Sequence, residues 1–216
     1  MGTLEALQNG WRRTRDAFDY AFGDPAWPFR YLKLAFILLI PVVGYLALLG
    51  WQVRVFDSVR LGRRGLPVPE LSTDIGRGVP TFINAILLFV VPVFLAAFLA
   101  LPLDALGIPP NRYTDPEVLR WLAISFVVVA YPELLRRSVV RGEKLALLKP
   151  FPSFRAMLHD PVSFAFTLFG TVVALLVASF GIYAFGVGVL FTIPIGHAMA
   201  AHVVVHWQRD LETGSA

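Results

Sequence analysis

Three histidines stand close together late in the chain, in the run GHAMAAHVVVHW: His197, His202 and His206. On a helix of about 3.6 residues per turn His202 and His206 share a face, and His197 is turned away from His202 by about 140°. A pair at i, i+4 suits a metal ion, and a single histidine in an apolar helix suits haem or a chlorophyll-type pigment. Zinc sites take three or four protein ligands, however, and this run carries no carboxylate and the chain no cysteine. The plainer reading places these histidines near an interface, hydrogen-bonded to backbone or lipid. No cofactor is expected; haem, pigment or lipid are the classes these side chains would suit.

The other polar candidates are fewer. Asn84 lies in a charge-free stretch from 78 to 103, where its amide can bond to a neighbouring helix for about 0.6–2 kcal/mol. Arg54, Arg60, Arg63 and Arg64 form one basic cluster, and Arg136, Arg137, Arg141 and Lys144 a second. Both read as a cytoplasmic face that also meets anionic lipid headgroups. His159, beside Asp160 or with Asp74, is the pairing an enzyme acting on lipids would need. The sequence holds no phosphate-binding glycine loop, no G-x-S-x-G and no H-E-x-x-H, so catalysis is not expected.

The elements that carry these residues are apolar. Of 216 residues 56% are hydrophobic and 16% charged, and the mean hydropathy is +0.66, too apolar for a soluble domain with a polar shell. Net charge +4 would point to nucleic acid in a soluble chain, but the basic residues flank apolar runs, so no nucleic-acid partner is expected. A cleavable leader is not expected either, because the first apolar run starts only at Leu34 and is too long for one.

In order, residues 1–23 predict an amphipathic interfacial helix, with Leu4, Leu7, Trp11, Phe18 and Phe22 on one face. Asp24 and Pro25 read as N-cap and first turn of the next helix. Leu34 to Val53 is long enough to cross a bilayer, with a kink at Pro41; a re-entrant hairpin at Pro41 is the alternative, with the N-terminus inside and four crossings. The P-x-P at Pro67 and Pro69 marks a loop, 72–78 a short interfacial piece, and 78–103 a second span containing Pro92. Only Trp121 to Pro132 is charge-free in the third segment, which crosses if Arg120 and Glu133 snorkel at its ends or if neighbouring elements cover them. Residues 161–208 carry no Asp, Glu, Lys or Arg and read as two spans turning near Gly181 to Gly186. The tail from 209 to 216 is polar. Small residues Gly181, Gly186, Gly188, Gly196, Ala198, Ala200 and Ala201 in the last hairpin permit close helix packing.

The chain also echoes itself. Asp24-Pro25 recurs as Asp115-Pro116 and Pro41 as Pro132, both 91 residues on; Pro67-x-Pro69 recurs as Pro150-x-Pro152 after 83, and Pro80 as Pro161 after 81. This predicts a parallel internal repeat, 24–103 and 115–182, with an extra helix over 187–207. The fold expected is all-α: one transmembrane domain over 24–208 with about five spans, four to six.

Residues 23–79 combine a proline-rich approach, a kinked span ending in Gly44-Tyr45 and an aromatic, the exit Arg54-x-x-Asp57-x-x-Arg60-x-Gly62, and the loop Leu66-Pro67-x-Pro69-Glu70. This stretch resembles a family of uncharacterised prokaryotic membrane proteins, domain of unknown function 4013. The short, charged third segment departs from that pattern. The resemblance implies architecture and a prokaryotic inner (cytoplasmic) membrane, and no activity or site. The function expected is a non-catalytic accessory subunit of a membrane assembly, with lipids and other membrane subunits or a second copy as partners. A transporter or channel built on the repeat, and a pigment- or haem-binding subunit, are the alternatives.

Overall fold

The structure, a computed structural model, describes residues 3–105, 116–140, 142–143, 145–146, 149–183 and 188–213. It is all-helical: α1 (Thr3–Phe22), α2 (Trp27–Leu38), α3 (Pro41–Arg60), α4 (Leu71–Ala105), α5 (Pro116–Val140), α6 (Pro150–His159), α7 (Pro161–Phe180), a 3-10 turn (Gly181–Tyr183) and α8 (Val189–Thr213), with no strand among the described residues. Among the described residues three helices, α3, α7 and α8, are long and apolar enough to cross a membrane. The bundle is arranged around α8, which packs against α1, α2, α3, α5 and α7. Its small and medium residues from Ala198 to Val205 are buried, so neighbours approach it closely on every side.

The expected single span from Leu34 to Val53 is two helices. A proline has no N–H to donate and disfavours the helical conformation in the residue before it. Ile40 accordingly sits at φ −97°, ψ 98°, and Pro41 opens α3. The chain uses this break to reverse. The Tyr31 ring lies 6.0 Å from that of Trp51 at 75°, and at the tip a Cβ on Gly44 would overlap the carbonyl oxygen of Ile37. At the open end, the Leu66 amide donates to Asp24 at 3.0 Å. α2 and α3 are therefore a hairpin, with Ile40 and Val42 exposed at its tip. α2 itself starts at Trp27, with Ala26 in the N-cap position; Asp24 closes the turn before it by accepting from the Ala26 amide at 2.8 Å.

Residues 72–78, read as a separate interfacial piece, are the first turns of the 35-residue α4. Glu70 and Asp74 set that start: the Glu70 amide donates to the Asp74 carboxylate at 2.7 Å, and the Thr73 hydroxyl bonds to Glu70 at 3.3 Å. Later in the chain Asp160 does begin a new helix. Its carboxylate accepts from the Ser163 amide and Pro161 follows in the first turn, which separates α6 from α7. The two proline pairs of the sequence echo thus differ in setting, for Pro132 lies inside α5 and Pro80 inside α4.

Of the two settings open to Glu133, snorkelling or cover by neighbours, the structure has the second: it is 1% exposed and bonded through both carboxylate oxygens to Arg136 at 2.6 and 2.7 Å. Arg209 to Thr213, expected in the polar tail, continue α8, and Arg209 caps the end of α3, donating to the carbonyls of Val59 and Arg60 at 2.7 and 3.1 Å. α1 packs on α7 and α8 through a narrow face of Thr14, Ala17, Tyr20 and Ala21, all buried, while Trp11 and Phe18 point outward at 66% and 47% exposure. Arg13 fastens it with an ion pair to Asp210 at 2.7 Å and a bond to Ser163 at 2.9 Å.

Candidate functional site

The charged side chains converge on one end of the bundle, where α3, α5 and α8 terminate and α4 and α7 begin. α3 ends there on Gly62, whose φ of +72° suits a residue without a side chain; the Arg63 amide then bonds back to the Ser58 carbonyl at 2.9 Å. The loop that follows is held by side chains from below. Trp51 donates from Nε1 to the Pro67 carbonyl at 2.8 Å, Tyr20 and Ser58 donate to the Gly65 carbonyl at 3.3 and 3.2 Å, and Arg54 reaches the Val68 carbonyl. Arg54 also grips Asp74, 1% exposed, at 2.6 and 2.9 Å.

Among the basic residues singled out, the structure makes a sharp division. Arg54, Arg136 and Arg137 are turned inward onto Asp74, Glu133 and Glu143. Arg60 pairs with Glu212 at 2.9 Å. Arg63 and Arg64 are exposed and make no ion pair among the described residues. Arg141 and Lys144 lie outside the described residues. Arg136 further links α5 to α8, donating to Gln208 at 2.9 Å, with its guanidinium 5.4 Å from the centre of the Trp207 ring.

Asn84 does reach a neighbour, though the neighbour is a loop. Its amide nitrogen donates to the Glu143 carbonyl and its oxygen accepts from the Ala146 amide at 2.9 Å. Arg137 closes the same loop, donating to the carbonyls of Ala146 and Lys149 and to Ser153 at 2.8–2.9 Å. Ala146 is thereby pressed against Leu88 and Leu134.

The three histidines do not form one site. His197 faces Tyr131, whose hydroxyl lies 3.4 Å from Nδ1, and its ring is edge-on to Tyr45. Gln52, fully buried on α3, donates to the Tyr131 hydroxyl at 3.0 Å and to the His197 carbonyl at 3.2 Å. Its Oε1 has no partner among the described residues. This polar node at the meeting of α3, α5 and α8 escaped sequence reading because Gln52 and Tyr131 sit at the edges of apolar runs with no spacing that links them.

His202 and His206 do share a face, with ring centroids 4.8 Å apart, and Tyr20 of α1 lies 5.3 Å from His202. Burial pushes the Tyr20 phenol above its ordinary range, against the opposing pull of Ser58 and Arg30. Together with Arg209 these rings line a cleft of about 630 Å³ that opens beside Arg63 and Arg64, with Asp16 and Asp19 on the α1 side. No group of three or more side chains able to hold a metal occurs among the described residues. A second cleft of about 530 Å³, lined by Arg54, Asp57 and Arg77, lies near Gly65 and Arg63.

No family model, curated protein or solved structure matches this chain.

The small residues of the last hairpin have a use inside the chain. A Cβ on Gly196 would overlap the Ala174 carbonyl, and one on Gly181 the backbone of Gly188; Ala198, Ala200 and Ala201 are buried. Gly196, Gly181 and Gly188 bring α7 and α8 together. Gly186 lies outside the described residues. His159 is exposed, and no bond joins it to Asp160 or Asp74 among the described residues.

Proposed function

We propose that the chain is a multi-pass membrane protein of a prokaryotic inner membrane, with α4, α5, α7 and α8 crossing, the α2–α3 hairpin re-entrant, and both ends of the chain on the charged side. A 12-residue helix rises about 18 Å, short of the roughly 30 Å hydrocarbon core, so α2 enters and α3 returns. This arrangement puts Arg12, Arg13 and Arg15 on the same side as both basic loops, in accord with the positive-inside rule. The resemblance over residues 23–79 supports the same setting.

In that membrane the chain serves as a non-catalytic subunit that presents a rigid charged face to a partner. One observation carries this reading. A loop whose only task is to stay in the cytoplasm needs charge and nothing else, whereas both basic loops here are fastened by buried or partly buried side chains: Trp51 and Arg54 on the first, Asn84 and Arg137 on the second. Loops held in one shape lose little entropy on docking, which is what a recognition surface requires. Blue-native electrophoresis and cross-linking mass spectrometry of gently solubilised membranes test it. The expected result is one stoichiometric assembly cross-linked through residues 60–70 and 141–155; a monodisperse monomer in the native membrane extract overturns it.

The Gln52 node favours a transporter as the second reading, since an unpartnered amide oxygen between three helices is a ready ligand for a polar solute. On that reading Gln52→Leu abolishes uptake in a liposome flux assay while the fold persists; a variant that transports as well as the parent excludes it.

A further inference from the structure

The cleft beside His202 has walls of opposite charge. On one side stand Arg63 and Arg64, exposed and without an ion pair among the described residues, with Arg209 behind them. Arg209 gives one guanidinium nitrogen to the Val59 and Arg60 carbonyls, which fixes its position. On the α1 side stand Asp16 and Asp19; Asp19 pairs with the exposed Arg15 at 3.8 Å. No ion pair joins the two walls among the described residues. At the back His202 is 8% exposed, and its Nδ1 has no hydrogen-bond partner among the described residues. A buried ring nitrogen left unpaired is costly unless something else supplies the bond.

We propose that this cleft binds a zwitterionic phosphate ester, with the phosphate against Arg63, Arg64 and Arg209 and a primary ammonium toward Asp16 and Asp19. Arginine forks suit phosphate oxygens. Two carboxylates opposite disfavour a purely anionic ligand and complement an ammonium a few bonds from the phosphate. The cleft opens at the level where α3 and α8 end, the depth of a lipid headgroup on the membrane reading above, on which this inference rests. The same chemistry is carried by phosphatidylethanolamine and by free phosphoethanolamine.

Native mass spectrometry of the full chain, released from nanodiscs of equal parts phosphatidylethanolamine, phosphatidylglycerol and phosphatidylcholine, tests the proposal. The first lipid is expected to be retained about tenfold or more over the other two. Arg63→Gln with Arg64→Gln, both at exposed positions, should abolish retention, and Asp16→Asn with Asp19→Asn should erase the preference over phosphatidylglycerol while leaving lipid bound. Displacement by soluble phosphoethanolamine assigns the site to the free ester, and failure to displace assigns it to the lipid; either supports the chemistry. Retained lipid that mirrors the bulk mixture, or retention unchanged in the arginine variant, overturns the proposal. Release of the chain from membranes by alkaline carbonate would instead defeat the membrane reading, so the two failures are told apart.

Discussion

Tyr31 and Trp51 meet edge to face across the α2–α3 hairpin, ring centroids 6.0 Å apart, although Pro41 lies between them in an apolar run long enough to be a single helix. Their contact, with the Tyr31 hydroxyl bonded to the Ala21 carbonyl at 3.0 Å and Trp51 Nε1 bonded to Pro67, ties the first hairpin to the end of α1 on one side and to the loop after α3 on the other.

α3 and α4 cross backbone to backbone at Gly50 and Gly78. A Cβ on Gly50 would overlap the Asp74 carbonyl, and one on Gly78 the Leu46 carbonyl. Gly50→Ala must push the helices apart and is expected to destabilise by about 1–3 kcal/mol or more. A thermal unfolding assay in detergent reads this as a clear fall in midpoint; an unchanged midpoint would contradict the close crossing.

Arg54 and Asp74 form a pair in which the carboxylate is buried and the guanidinium partly so, with side-chain exposures of 14% and 1%. Removing one charge strands the other, so Arg54→Met alone is expected to cost about 3–5 kcal/mol, whereas Arg54→Met with Asp74→Leu should recover most of that loss. A double-mutant cycle on unfolding midpoints provides the measurement.

Asn84 holds the second basic loop through the Glu143 carbonyl and the Ala146 amide. Asn84→Leu leaves both groups without that partner and is expected to cost about 1–3 kcal/mol. Limited trypsin digestion should then cut the 141–149 segment faster than in the parent chain, at the same protease dose.

How much of this was legible in the sequence depends on distance along the chain. Helical content, the apolar runs and the basic loops follow from composition and local spacing, and the P-x-P loop from local turn chemistry. The break at Pro41 was visible as a choice between kink and reversal, and only Tyr31 meeting Trp51 decides it. What could not be read is which arginines turn inward. Arg54 and Arg63 are alike in sequence, yet one finds Asp74 a helix away and the other finds water. Asn84 was marked by polarity alone, and its loop partner lies 59 residues on. The cleft at His202 needed α1 laid against α8, a contact with no local signature.

Asp24 supplies a pH dependence. It is 7% exposed; burial works to raise its pKa, but the Ala26 amide, the Arg30 guanidinium at 2.6 Å and the Leu66 amide outweigh it and hold the carboxyl below its ordinary 3.8. A lowered folded value means that the stabilisation is complete above the unfolded value and is lost as pH falls through the folded one. The unfolding midpoint should therefore fall as the pH is lowered below the ordinary carboxylate value of 3.8, and Asp24→Asn should remove that part of the drop. An equal drop in the variant would assign it to other carboxylates.

The place of α8 bears on how the chain is built. Every helix it touches precedes it, so during synthesis α1, α2, α3, α5 and α7 emerge before the surface they rest on exists. The earliest helices must wait, half-assembled and with buried polar groups such as Gln52 still open to lipid or water, for a strut that lies some 145 residues further along. Folding of this bundle is thus a closing event that runs backwards through the chain, and the period before it closes is when a membrane chaperone has most to hold.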